Sequence, residues 1–286
     1  MKKIIILEEN VGKRIDKFLC EKFDISFVIS QKIIRQKKLK INGSRVDANY
    51  RLEDEDEITL YTDLVDRIVR EKKKPFLSPE KIKKFDSYII YEDEGMAAID
   101  KPSGLAVQGG SGIQFCVDDF ATAKGWSLVH RLDKDTSGVL LLAKNKATST
   151  KLLDGFKNKT INKTYEAYIY GNLSKDEGTI NIPLKKKAVR GVEKVYPDVE
   201  EGKEAITKFK VLESYEDYSL VELKPITGRT HQLRVHMKEM GCPIINDAKY
   251  GGRKVLRSDL GSNMCLHAKT IEVDGKFINS QLSLDY

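Results

Sequence analysis

The amino-acid sequence predicts an α+β protein in two parts, a small helix-rich unit followed by a larger one built mainly on strands. Three features carry this expectation. Apolar residues recur at helical spacing near the start. Beyond about residue 85, short alternating or all-apolar runs of strand length outnumber helical segments. A strongly basic stretch separates the two patterns. The expected boundaries are 1–66 for the first unit, 67–84 for a basic linker and 85–286 for the second unit.

Taken in order, Ile15, Phe18, Leu19 and Phe23 fall at offsets of three, four and eight, one face of an amphipathic helix. Val28, Ile29, Ile33 and Ile34 repeat the pattern in a second helix, whose other face carries Lys32 and Arg35. Residues 39–41 alternate as a strand, Asn42-Gly43 is a turn signal, and 58–61 form a further strand. In the second part, 88–91 and 96–100 flank a Glu-Asp-Glu-Gly turn. Residues 139–143 are five consecutive apolar residues and read as a buried strand. Residues 163–170 alternate, with Tyr165, Ala167 and Ile169 on one face, and 205–212 and 220–224 continue the sheet. Helices are expected over 147–158 and 230–240, the second closed by Gly241 with Pro243 beyond it. The excess of strands predicts a largely antiparallel sheet.

A chain of 286 residues with 40% apolar content can bury one good-sized core and one small one. No apolar run reaches bilayer length, and the stretch 4–7 is too short for a signal peptide, so a cytoplasmic location is expected. Cys20, Cys116, Cys242 and Cys265 have no paired spacing and read as packing residues. His231 and His236 are five apart, off a shared helical face, and no metal site is expected. The net charge of +7 is unevenly placed. Residues 32–45 hold six basic residues and no acid, and 67–84 hold eight basic and two acidic residues. Acids concentrate in Glu53-Asp54-Glu55-Asp56-Glu57. This asymmetry suits a surface that faces a polyanion, with an ordinary solvated face as the alternative.

The densest chemistry lies in His130-Arg131-Leu132-Asp133-Lys134-Asp135-Thr136-Ser137-Gly138, just before the buried strand. Arg131 and Asp133, two apart, would project to one side of an extended segment, as a site that binds phosphate and needs a carboxylate requires. The plainer alternative is a solvated loop with a surface ion pair.

That run resembles, residue for residue, the catalytic loop of the large-ribosomal-subunit family of RNA pseudouridine synthases (RluA, RluC and RluD). Ile99-Asp100-Lys101-Pro102-Ser103-Gly104-Leu105, Lys163-Thr164-Tyr165-Glu166-Ala167-Tyr168 and Gly228-Arg229-Thr230-His231-Gln232-Leu233-Arg234-Val235-His236 resemble further family motifs. Asn246-Asp247-Ala248-Lys249-Tyr250-Gly251 and Leu266-His267-Ala268 follow in the expected order. Gly109-Gly110-Ser111-Gly112 and Val139 resemble the C-type branch, and the first 65 or so residues resemble an S4 RNA-binding domain.

The resemblance implies the pseudouridine synthase fold, with a central mixed sheet. It also implies a cofactor-free isomerase (an intramolecular transferase) acting on large-subunit ribosomal RNA. In it, Asp133 matches the catalytic carboxylate, Tyr165 the active-site tyrosine, and Arg229 the arginine that pairs with the aspartate. Arg131 matches the arginine that fills the space left by the flipped nucleotide. Lys32, Arg35, Lys37, Lys38 and Lys40 would contact backbone phosphate. Lys37 stands where the S4 domain often has a helix-ending glycine, so a different cap is expected. His130 is expected as a hydrogen-bonding loop residue and Asp135 as a loop cap or an exposed side chain. Two alternatives stay open: a non-catalytic RNA-binding or ribosome-assembly protein on the same fold, and a relative acting on transfer RNA. A hydrolase using Asp133 on a sugar would want a second carboxylate as general acid and no basic N-terminal module; the chain has many acids, so it is the other motifs that make this reading remote.

Overall fold

The computed structural model describes residues 2–23, 25, 27–61, 77–110, 112–189 and 192–284. Contacts along the chain separate two compact units, Met1–Phe76 and Leu77–Tyr286.

The first unit contains strand β1 (Lys2–Ile5), helices α1 (Ile15–Phe23) and α2 (Phe27–Arg35), and strands β2 (Leu39–Ile41) and β3 (Glu57–Leu60). The strands form an antiparallel sheet in the order β1-β3-β2. Ile15, Phe18 and Leu19 of α1 and Ile29, Ile33 and Ile34 of α2 pack with Leu39, Ile41, Ile58 and Leu60 in one core. β1 was not expected from the sequence; its four residues are held by pairing to β3 rather than by a pattern of their own. The C-terminal cap of α2 also differs from expectation. Lys37 adopts the left-handed conformation (φ 58°), its N–H donates to Ile34 O at 2.9 Å, and Lys38 N–H donates to Ile33 O at 3.1 Å. This is the glycine-type cap itself, with a lysine accepting a strain of about 1 kcal/mol.

The second unit is organised by one large sheet. Its strands in chain order are β4 (Ile89–Glu92), β5 (Met96–Lys101), β6 (Ser127–Leu128), β7 (Ser137–Ala143), β8 (Asn162–Tyr170) and β9 (Glu177–Asn181). They continue with β12 (Ile206–Ser214), β13 (Tyr218–Pro225), β14 (Leu266–Val273) and β15 (Lys276–Asn279); β10 (Leu184–Val189) and β11 (Val192–Pro197) make a separate hairpin. The spatial order is β4-β5-β7-β14-β8-β13-β12-β9, with β6 on β7 and β15 on β14. Among the described residues only β7 and β14 pair in parallel, so the sheet is mixed and largely antiparallel. Helices α3 (Pro79–Asp86), α4 (Val117–Ala123), α5 (Lys146–Lys157) and α6 (Gln232–Glu239) flank it.

α3 revises the expected linker. Residues 67–76, with the lysine run 72–74, lie outside the described residues, but the basic segment is helical from Pro79 on. The Ser78 side chain accepts Lys81 N–H at the N-terminus of α3, and Phe85 is buried against Phe120 with ring centroids 4.8 Å apart. The apolar run of β7 is explained by burial on both faces. Leu140 and Leu142 join one core, while Val139, Leu141 and Ala143 join the other, each buried leucine contributing roughly 2–3 kcal/mol.

β7 and β14 meet only at Ser137–His267 and Gly138–Ala268 and then diverge. In the gap, the ring of His130 accepts the Leu141 N–H through Nε2 at 2.9 Å and packs on Phe156. Gly138 makes the close approach possible: its φ is +103°, and a Cβ there would lie 2.2 Å from Ala268 O. Gly138→Ala should therefore cost about 2 kcal/mol or more. A urea midpoint unchanged from wild type would refute this account of the crossing.

Candidate active site

A cavity of about 620 Å³ opens in the second unit, bounded by residues 130–136, the end of α5, the start of β8, and the segment 225–234 that leads into α6. The loop carrying Asp133 is fastened from below. Lys101 is fully buried, and its Nζ donates to Pro102 O (3.0 Å), Leu105 O (2.9 Å) and Lys134 O (2.9 Å). Burial lowers its pKa to about 7 against the pull of Asp135 and Asp133. Thr136 N–H donates to Asp133 O, and Ser103 Oγ donates to the main-chain oxygen of Asp135, whose side chain is exposed.

Asp133 projects into the cavity, where its Oδ2 accepts from Arg234 Nη1 at 3.0 Å. Arg234 is buried and is gripped from behind by Asp247, through Nε to Oδ2 at 2.7 Å and Nη2 to Oδ1 at 2.8 Å. This two-pronged geometry suits a guanidinium and not an ammonium. Burial works against the charge of Arg234, but Asp247 and then Asp133 raise its pKa well above the usual range. Asp247 is held in turn by the N–H groups of Lys249 and Tyr250.

This arrangement corrects the arginine expected at the carboxylate. Arg229 lies in the same motif, five residues earlier, but it is exposed and its Nε donates to Glu204 O at 2.9 Å. Arg229 precedes the helix, whereas Arg234 is its third residue, and a helical side chain leans back toward the N-terminus, here toward Asp133. A signal for Arg234 exists in the sequence: a cation between Leu233 and Val235, one turn from Met237, on a helix with a buried face must be paired.

His231, left-handed at φ 54° and capping α6, was expected only as an unlikely metal ligand. Its Nδ1 lies 2.7 Å from the Tyr250 hydroxyl and its Nε2 lies 3.7 Å from Asp133 Oδ2. The Tyr250 oxygen also accepts Val195 N–H from β11. An imidazole protonated on Nε2 satisfies both sides, taking the phenol proton at Nδ1 and turning N–H toward the carboxylate.

Tyr165 lies in the middle of β8, buried, with its side chain lining the cavity, and Ala167 and Ile169 share its core as the alternation predicted. Burial first, and the charge of Asp133 second, push its phenol pKa up, so it stays neutral. Arg131 is exposed at the cavity rim. In the first unit, Lys32, Arg35 and Lys37 are exposed, and Lys38 and Lys40 are half-buried. Among the described residues none of these five pairs with a carboxylate. No three histidine, cysteine or carboxylate side chains converge among the described residues as a metal would need, nor is any helix there long and apolar enough to cross a membrane.

An ion-paired carboxylate and a buried tyrosine thus share a cavity of a mixed sheet, in a chain that also carries a small helix-and-strand unit, and comparison with known proteins gives the class: an RNA-modifying enzyme. The sequence profile for RNA pseudouridylate synthase matches residues 95–239, and that for the S4 domain matches 13–58. The chain belongs to the RNA pseudouridylate synthase family and is an isomerase carrying an N-terminal S4 domain. It is 39% identical to the ribosomal large subunit pseudouridine synthase C of Rickettsia bellii, over 99% of this chain and 96% of that protein. It is 36% identical to the protein of the same name from Vibrio cholerae, over 94% of this chain and 87% of that protein. Among solved structures, human RNA pseudouridylate synthase domain containing 4 superposes with a TM-score of 0.58 at 27% identity, covering 71% of this chain and 90% of that one.

All four histidines of the sequence favour the neutral form in the fold, burial being the leading cause for each. His130 is lowered to about 3, His231 and His267 to about 4, and His236 is lowered as well. A depressed histidine contributes stability that is complete above the unfolded value, about 6.5, and is lost as pH falls toward the folded one. Unfolding at pH 5 should thus take up at least about two protons, bound by the exposed histidines, giving a stability that declines by roughly 3 kcal/mol per pH unit. Denaturant titrations should show that slope emerging as pH falls from 7 to 5; a flat profile would mean that the histidines titrate in the fold as they do in the unfolded chain.

Proposed function

We propose that this protein isomerises uridines of large-subunit ribosomal RNA, with Asp133 as the reacting carboxylate. The observation that carries the reading is the Asp133–Arg234–Asp247 ion triplet at the cavity wall beside Tyr165. The substrate is supported by the names of the relatives in Rickettsia and Vibrio and by the S4 domain.

Pseudouridine formation breaks the bond from ribose C1′ to uracil N1, turns the freed base and joins C1′ to C5, with the proton lost from C5 balanced by one gained at N1. A carboxylate can enter by adding to the base, by attacking the sugar or by taking a sugar proton, and each route starts from the ionised form. Arg234 supplies the counter-charge that an ionised carboxylate needs in a half-dry cavity, and Asp247 keeps that arginine from turning away. His231 Nε2 adds a second positive-ended dipole on the same oxygen. The Tyr165 ring offers a flat surface for the loose uracil, and its neutral hydroxyl can donate or accept a hydrogen bond. A base reaches this site only after leaving the RNA stack, at a cost of a few kcal/mol, and Arg131 at the rim can fill the vacated space by stacking. Lys32, Arg35, Lys37, Lys38 and Lys40 of the S4 domain supply salt-sensitive attraction to the RNA backbone.

The test is carbodiimide mapping of pseudouridine in ribosomal RNA from cells lacking the gene, complemented with wild type or with Asp133→Ala. Sites lost in the deletion should return with wild type alone; an unchanged large-subunit map would overturn the substrate, and full rescue by Asp133→Ala the mechanism. The two arginines should separate in vitro. Arg234→Gln should lower kcat about 100-fold or more, and leaving the buried Asp247 without its partner should destabilise the fold by about 3 kcal/mol. Arg229→Gln should keep kcat within about tenfold and act mainly on KM for RNA. Equal losses of kcat would return Arg229 to the carboxylate.

A further inference from the structure

Lys163 lies two residues before Tyr165 on the same face of β8, and both side chains line the cavity. The other cations of the lining are engaged or outward: Arg234 holds two carboxylates, Arg229 donates to Glu204 O, and Arg131, Lys157 and Lys159 are exposed. Lys163 is half-buried, and its Nζ lies 5.7 Å from the centre of the Phe156 ring and 3.7 Å from where a side chain at Gly228 would begin. Among the described residues it has no carboxylate at ion-pair distance. Asn162 beside it gives its amide to Glu272. Burial alone lowers the Lys163 pKa, with no acid opposing the shift.

Even half-buried, an ammonium without a counter-ion carries part of the cost of desolvation, and that part is recovered when an anion arrives. Two more lysines of the lining stand close in sequence, Lys157 in the last turn of α5 and Lys159 in the turn after it. The stretch 157–163 holds three lysines and no acid. A nucleotide of RNA offers one anionic group, its phosphodiester, while its base and ribose are neutral. Residues i and i+2 of a strand are about 7 Å apart, the scale of the separation between a base and its own phosphate.

We propose that Lys157, Lys159 and Lys163 form a phosphodiester subsite, in which Lys163 receives the phosphate of the nucleotide whose base lies on Tyr165. The inference rests on the cavity being the uridine site. Gly228 is then open so that the phosphate can reach Nζ, and Phe156 screens the ammonium from water.

The test titrates uridine 3′,5′-bisphosphate and uridine into wild type, Lys163→Met and Lys163→Arg, followed by NMR, with a thermal melt confirming that each variant is folded. Wild type should bind the bisphosphate about tenfold or more tightly than Lys163→Met does, a contact to a charged group being worth about that much. Lys163→Arg should keep most of the affinity, and uridine should bind all three alike. Equal binding of the bisphosphate by wild type and Lys163→Met, or no binding by wild type, overturns the subsite. A second arm uses an RNA fragment carrying a mapped uridine, with one flanking phosphate replaced by a neutral methylphosphonate. Loss of affinity in wild type with no further loss in Lys163→Met supports the contact; independent, multiplying losses at both flanking phosphates overturn it. The bisphosphate arm does not depend on turnover, so it can fail or succeed separately from the assignment of the reaction.

Discussion

The ion triplet Asp133–Arg234–Asp247 is the constraint around which the site is built. It joins the loop before β7 to the first turn of α6, 101 residues further on, and to the segment that follows α6. One guanidinium is shared by two carboxylates, so the cluster keeps a net negative charge. A buried arrangement of this kind contributes little net stability, because desolvation offsets most of the attraction. What it contributes is direction. Two Asp247 oxygens fix the plane of the guanidinium, and the remaining Nη1 can then point only where Asp133 stands.

The loop itself is placed by the sheet beneath it. Lys101, at the end of β5, ties Pro102, Leu105 and Lys134 together through one ammonium, which is why a lysine is tolerated at a fully buried position. Gly138 lets β7 and β14 touch at the point where the chain leaves the loop, and His130 supplies the acceptor that the diverging strand lacks. These residues meet no substrate in the proposed reaction, yet each sets where the Asp133 carboxylate comes to lie. The Tyr250–His231 pair does the same from the other side, and its link to Val195 connects the β10–β11 hairpin to the carboxylate.

The histidines illustrate how one residue type serves packing and chemistry under the same electrostatic rule. Each is kept neutral by burial, and a neutral imidazole is both donor and acceptor. His130 uses the acceptor side for a strand N–H, whereas His231 uses its acceptor for Tyr250 and leaves a donor for Asp133. Spacing placed His231 and His236 off a shared helical face, but it could not supply the hydrogen-bond role of either.

Most of the fold was legible in the sequence because period and burial are local consequences of side-chain order. The two helices of the first unit, the doubly buried β7 and the single-faced alternation of β8 followed from apolar spacing. Asp133, Tyr165 and Arg131 were legible as members of motifs, and the cavity gathers all three. β1 escaped because a four-residue strand has no periodicity of its own and exists only by pairing. The helical start of the second unit was hidden by its lysines, which occupy the solvent side while Phe85 alone carries the packing. The choice between Arg229 and Arg234 was beyond spacing, since both lie in one motif. It was decided by where a helix begins and by Asp247, a residue that comes near only after the chain has folded back on itself. The sequence by itself determined which chemical groups the site owns. Tertiary structure alone decided which of them face one another, because an ion pair depends on distance in space and not on separation along the chain.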